Sequence, residues 1–139
     1  MNLKECVIGA KVFDDYGHHP TEIIATAKAL MNKKYHKSWV VFQPHTYSRT
    51  QNLMTDFAKA LLNFDNIIIV DIYAAREVNT YGITSKDLVD KICSFGKTAL
   101  YIPDFSECVS YLKSNVSSED IILTLGAGTI TDLGPMLID

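Results

Sequence analysis

Three short stretches of this 139-residue chain concentrate side chains that could do chemistry. The first is Asp14-Asp15-Tyr16-Gly17-His18-His19-Pro20, which puts two carboxylates, a phenol and two imidazoles just ahead of a helix start. Helix N-termini attract phosphate, and histidine adds donors that become cationic near neutral pH. A carboxylate at a strand end can accept hydrogen bonds from ribose hydroxyls. The competing structural reading is that Asp14 or His19 caps the helix and Gly17 makes the turn.

The second stretch, Gln43-Pro44-His45-Thr46-Tyr47-Ser48-Arg49-Thr50, is rich in donors. Arginine suits bidentate recognition of carboxylate or phosphate. Here the structural reading is that Ser48 or Thr50 caps the next helix and Arg49 is a solvated first-turn residue. A cation in that turn opposes the helix dipole, which favours a functional reason for Arg49. The third stretch, Asp71-Ile72-Tyr73-Ala74-Ala75-Arg76-Glu77, offers Tyr73 as a cleft-lining ring. Its Arg76–Glu77 pair reads as a surface ion pair of little worth.

Other chemistries find less support. Asp14, Asp15, His18 and His19 are metal-ligand types, but adjacent histidines converge poorly on one ion and no third anchor is evident; no metal site is assigned. Gly96-Lys97-Thr98 imitates the end of a P-loop, yet Lys91 stands where the first glycine belongs and a strand follows instead of a helix. Gly126-Ala127-Gly128 has Thr131 in place of the third glycine of a dinucleotide fingerprint, so it reads as a tight strand-to-helix turn near which an anion could lie.

The elements that must position these stretches alternate along the chain. Strands are expected at residues 5–8 and 11–14, as a hairpin about Gly9-Ala10, and then at 39–42, 67–70, 98–102 and 121–125. Pro20 and Glu22 suit the first turn of a helix whose apolar face is Ile23, Ile24, Ala27, Leu30 and Met31. Leu53, Met54, Phe57, Ala58, Leu61 and Leu62 mark a second helix after a polar loop over 43–50. A longer loop spans 72–83. Thr84 and Asp87 start a third helix, Asp104 and Glu107 a fourth, and a short one ends the chain. Strand–helix alternation predicts an α/β fold: a Rossmann-like, doubly wound, mostly parallel sheet of five or six strands with helices on both faces, in one domain over 1–139. Ligands of such sheets sit beyond the carboxyl ends of the strands, so the segments after Phe13, Phe42, Val70 and Leu125 are where a site is expected.

Composition bounds the rest. With 47% apolar and 21% charged residues the chain is neither disordered nor repetitive. A net charge of −3 argues against a broad basic face for nucleic acid. Three scattered cysteines, Cys6, Cys93 and Cys108, fit neither a disulfide framework nor a zinc ribbon and point to a reducing, cytosolic compartment. No apolar run is long enough to span a membrane, and the first residues lack the apolar core of a signal peptide.

Residues 14–22, 42–50, 71–77 and 126–130 together resemble the C-terminal domain of the Mur ligases of peptidoglycan synthesis. The likeness covers nearly the whole chain. Its second motif, Phe-Gln-Pro-His-Thr-Tyr-Ser-Arg-Thr, is the marker of the members that add L-alanine to UDP-N-acetylmuramate. The resemblance implies an ATP-dependent amide ligase with an N-terminal UDP-sugar domain, a central P-loop ATPase domain and this Rossmann-like third domain. The muramyl carboxylate is activated as an acyl phosphate, the amine of L-alanine attacks it, and Mg2+ is held mainly by the central domain. It further implies that Asp15, Tyr16 and His18 border the nucleotide, and that His18, His45, Tyr47 and Arg49 border the acceptor, with Arg49 on its carboxylate. Some members carry a second arginine where this chain has Thr46. The P-loop lysine and the central-domain magnesium ligands have no counterpart here. The chain is therefore expected to be a fragment that folds alone, holds no ATP or Mg2+ by itself and is inactive alone. The alternatives are a freestanding nucleotide- or UDP-sugar-binding module, or a small metal-dependent phosphoesterase built on Asp14, Asp15, His18 and His19.

Overall fold

The computed structural model describes residues 2–5 and 9–138. Six strands form one sheet: β1 (Asn2–Glu5), β2 (Lys11–Asp15), β3 (Ser38–Phe42), β4 (Asn66–Ile69), β5 (Ala99–Tyr101) and β6 (Ile121–Leu125). Their spatial order is β1-β2-β6-β3-β4-β5, with β1 antiparallel to β2 and every other pairing parallel. The expected α/β fold is thus present. The hairpin is too, with its first strand at Asn2–Glu5 instead of 5–8; residues 6–8 lie outside the described residues.

Strand side chains alternate between two cores, as the pleat requires. Phe13, Val40, Phe42, Ile67, Ile69, Leu123 and Leu125 pack on one face against α1 (Pro20–Met31), α3 (Met54–Leu61) and α4 (Ser85–Ser94). Val12, Trp39, Val41, Ile68, Val70 and Ile122 pack on the other against α5 (Phe105–Asn115) and α6 (Leu133–Leu137). Covering both faces explains why β3 and β6 are buried along their whole length and are mostly apolar, with Ser38 and Thr124 the polar exceptions.

Helix starts follow local chemistry. His19 caps α1, accepting from Thr21 N, while Glu22 reaches back to the cap and Pro20 takes the first position. Thr84 and Asp87 form the same reciprocal box at α4, and Asp104 caps α5. Two expectations need correction. Ile24 and Met31 face outward, the latter 74% exposed, because the apolar stripe of α1 is narrower than its apolar composition. The helix expected after residue 50 begins earlier and is broken in two, α2 (Tyr47–Asn52) and α3, with Leu53 between them.

Register sets the height at which the loops leave. Asp15, Leu125, Phe42, Ile69 and Tyr101 stand opposite one another across β2, β6, β3, β4 and β5. One further bond continues each step, from Gly126 N to Asp15 O, Gln43 N to Leu125 O, Val70 N to Phe42 O and Ile102 N to Ile69 O. The carboxyl ends therefore form one level rim.

At the opposite end, buried Asp120 ties β6 to β3. It accepts from Trp39 Nε1 at 2.9 Å, Ser117 N at 3.0 Å and Lys37 N at 3.2 Å. Burial alone would raise its pKa, but the hydrogen bonds from Ser117, Trp39 and Lys37 hold it below the usual value. Asp120→Ala leaves the indole and two backbone donors without partners. We predict a loss of about 2–3 kcal/mol in urea unfolding, and a loss below about 0.5 kcal/mol would show the tie to be dispensable.

Candidate functional site

The rim brings together the loops expected to do so. After β2 the chain turns sharply: Asp15 Oδ1 accepts from Gly17 N at 2.8 Å and Oδ2 from Thr26 Oγ1 at 2.9 Å. Asp15 thus pins the loop to α1. Asp14 points to the other face and accepts from Thr124 Oγ1 at 2.6 Å, so it is neither a cap nor a partner of Asp15. Tyr16 projects outward, 63% exposed. His18 Nδ1 donates to Tyr16 O at 3.1 Å, since a carbonyl can only accept. That leaves Nε2 as the free ring nitrogen.

The β3 and β4 loops are stitched together. Thr46 N donates to Tyr73 O and Tyr73 N to Pro44 O, each at 2.8 Å, forming a one-residue parallel bridge between His45 and Tyr73. The His45 ring lies 5.5 Å from Tyr73 and 5.8 Å from His18, centroid to centroid. Tyr73 therefore packs beside His45, as the cleft-lining alternative for its stretch had it. Gln43, buried and passed over in the sequence, closes the junction: its Nε2 donates to Thr129 Oγ1 at 2.9 Å and its Oε1 accepts from Ile130 N at 3.0 Å.

Gly126 and Gly128 are explained by this junction. A Cβ on Gly126 would lie 2.9 Å from Gln43 O, and one on Gly128 2.5 Å from Tyr73 Cγ and 2.7 Å from Gln43 Oε1. These glycines make room for Gln43 and Tyr73. Gly128→Ala should cost about 1–3 kcal/mol of unfolding free energy through overpacking; an unchanged urea midpoint would mean the junction is loose.

Arg76 and Glu77 also differ from expectation. Glu77 is not half of a surface ion pair. Its Oε1 accepts from Tyr47 N at 2.8 Å and Ser48 N at 3.0 Å, and its Oε2 from Ser48 Oγ. The bonds from Ser48 hold the Glu77 carboxyl below the usual glutamate range. Thr46, not Ser48 or Thr50, caps α2, accepting from Arg49 N at 3.3 Å. Because α2 has six residues, Arg49 lies in its first and last turns at once, and the dipole argument for its function lapses. Tyr47 lines a concavity of about 220 Å³ with Asp71, Asn79 and Thr84. A concavity of about 550 Å³ lies at the far end of the sheet beside Lys11, Lys33 and Asp120 and shares no residue with this site.

What remains open at the rim is basic. His45 Nδ1 and Arg49 Nη1 are buried without a hydrogen-bond partner. Burial, then the Arg49 charge, then His18 push the His45 pKa down, against a smaller upward pull from Glu77. Neutral His45 is the form the fold favours. Its stabilising contribution is present above the unfolded value of about 6.5 and is lost as pH falls through the folded value. NMR titration should place the His45 midpoint below about 6.5, and Arg49→Gln should raise it. A midpoint at or above that value would contradict the arrangement.

Comparison with known proteins gives the family and the fold. Residues 1–128 match the family model described as Mur ligase, glutamate ligase domain. The UDP-N-acetylmuramate–L-alanine ligase of Caldanaerobacter subterraneus subsp. tengcongensis is 50% identical over 139 residues, covering 100% of this chain and 30% of that protein. The crystal structure of UDP-N-acetylmuramate–alanine ligase from Thermotoga maritima superposes with a TM-score of 0.71 at 28% identity, covering 94% of this chain and 26% of that one. An isolated domain from Haemophilus ducreyi shares the fold, with a TM-score of 0.69 at 21% identity over 99% of this chain and 95% of that domain. The chain thus spans under a third of the length of its full-sized relatives. Motifs, sheet order and family match agree, and the chain belongs to the Mur ligase family, as its C-terminal domain.

Proposed function

We propose that this chain is the C-terminal domain of an ATP-dependent ligase that joins L-alanine to UDP-N-acetylmuramate in the cytoplasm, acting with a UDP-sugar domain and a P-loop ATPase domain on the same polypeptide. The observation that carries this reading is the pair of buried, unpartnered nitrogens, His45 Nδ1 and Arg49 Nη1. Buried donors and acceptors without partners are costly, and a zwitterionic amino acid would satisfy both kinds. Whole-chain similarity to L-alanine ligases supports the choice of acceptor. The free Cys93 and Cys108 accord with a reducing compartment, and no helix among the described residues is long and apolar enough to cross a membrane.

Each residue then has a task. Arg49 offers its guanidinium fork to the acceptor carboxylate. His45, neutral at pH 7, keeps a ring lone pair that can accept a proton or hydrogen bond from the acceptor ammonium, which must lose a proton before it attacks. The His18 ring stands 5.8 Å from that of His45. When bound, ATP supplies the phosphoryl group that makes the muramyl carboxylate an acyl phosphate. The fit of this chain to the nucleotide is partial. The exposed Tyr16 ring can lie against a base or ribose, while Asp15 is engaged by Gly17 and Thr26 and the space beside Gly126 and Gly128 is taken by Gln43 and Tyr73. Nor do three His, Cys, Asp or Glu side chains among the described residues come together as a metal site requires. In this reading the phosphates and Mg2+ are assigned to the other domains, and the isolated domain is expected to be inactive.

Arg49→Ala in the complete ligase should raise the KM for L-alanine on the order of 30-fold or more, the equivalent of losing a desolvated charge pair. The KM for ATP should change little, circular dichroism should be unaltered, and Arg49→Lys should recover only part of the loss. An unchanged alanine KM would refute the assignment, as would a reading frame with no upstream P-loop domain.

A further inference from the structure

We propose that Glu77 is a positioning residue for the acceptor site: its carboxylate fixes the start of α2 and so aims Arg49. This rests on the reading of Arg49 as the partner of the acceptor carboxylate. The need for such a clamp follows from the size of α2. Six residues are too few to hold a helix by their own hydrogen bonds. The cap residue Thr46 makes matters worse, since it sits at φ 65° and ψ 150°, a region that is essentially glycine's. Such a conformation persists only where its surroundings dictate it.

The surroundings here are the β4 loop. Tyr73 O takes the Thr46 N–H, and Glu77 takes the Tyr47 N–H, the Ser48 N–H and the Ser48 hydroxyl. Consecutive donors from 46 to 48 are thus satisfied by one neighbouring loop, and the next, Arg49 N, by Thr46 Oγ1. Glu77 is itself held in a turn, donating its own N–H to Ala74 O at 2.9 Å. Within that turn Ala75 sits at φ 57°. Among the described residues Thr46 and Ala75 are the two non-glycine residues with positive φ, and they lie on the two sides of this one contact. Two strained backbones facing each other across a carboxylate mark a junction held in a specific shape. The Glu77 oxygens are taken up by Tyr47 N, Ser48 N and the Ser48 hydroxyl, so the carboxylate clamps α2 without occupying the Arg49 fork.

The test is steady-state kinetics of the complete ligase with each substrate varied in turn. Glu77→Gln keeps the size of the side chain and removes its charge. It should raise the KM for L-alanine on the order of ten-fold, the loss expected for weakened charge-assisted bonds. The KM for ATP and for UDP-N-acetylmuramate should stay within about two-fold, a split that general destabilisation would not give. Ser48→Ala deletes only the hydroxyl contact and should raise the alanine KM about two- to five-fold. Arg49→Ala is measured alongside. If it raises the alanine KM while Glu77→Gln leaves it flat, the positioning role is overturned and the acceptor-site reading stands. If Arg49→Ala has no effect, that reading falls and the positioning role falls with it. Should Glu77→Gln fail to fold, Ser48→Ala decides: a rise confined to alanine supports the proposal, and no change overturns it.

Discussion

Placement of β6 between β2 and β3 is the constraint on which the site depends. The last strand of the chain enters the middle of the sheet, so the loop following it must emerge between the two loops richest in polar groups. Level register across β2, β6, β3 and β4 then brings all four loops out at one height. Gln43 converts that proximity into a fixed geometry, since its backbone continues the ladder to β6 while its side chain grips the turn after Gly128. Had β6 been an edge strand, the motifs at 14–22 and 42–50 would have been neighbours and the glycines at 126 and 128 would have had nothing to accommodate.

A division of labour by charge follows. Nearly every carboxylate near the rim is spent on scaffolding: Asp14 on Thr124, Asp15 on Gly17 and Thr26, Glu22 on the start of α1, Glu77 on the start of α2, and Asp71 on the Tyr101 hydroxyl. The Asp71 contact is tight enough to raise the Tyr101 pKa to about 12. The basic groups His45 and Arg49 are left unsatisfied. In a chain with a net charge of −3, the Arg49 guanidinium thereby keeps a nitrogen without a carboxylate partner, available to the anionic group of a ligand. The same accounting disposes of a four-residue metal site, since Asp14 and Asp15 face opposite ways and His19 is committed to its helix.

Much of this was legible in the sequence, for identifiable reasons. Apolar runs at 39–42, 67–70 and 121–125 announce strands covered on both faces, and the Thr84–Asp87 and His19–Glu22 pairs announce helix starts through local chemistry. What stayed hidden depends on contacts between distant residues. Glu77 beside Arg76 looks like an exposed ion pair until the fold carries it to Ser48, 29 residues away. Gln43 is one more polar residue until β6 brings Thr129 beside it. The break between α2 and α3 was concealed because Leu53 and Met54 continue the apolar spacing while Thr46, at positive φ, starts the helix four residues early. Here a single signal was available: Thr46 is itself a residue type favoured at N-caps.

The central claim is that Glu77 and Arg49 act as one unit on the acceptor carboxylate. A double-mutant cycle on the complete ligase tests it most directly, with alanine kcat/KM measured for Glu77→Gln, Arg49→Ala and the combination. Once Arg49 is gone there is nothing left for Glu77 to aim, so adding Glu77→Gln to Arg49→Ala should cost less than about two-fold, a coupling on the order of 1 kcal/mol or more between the sites. Full additivity, with Glu77→Gln costing as much in the Arg49→Ala background as in the parent, would contradict the account.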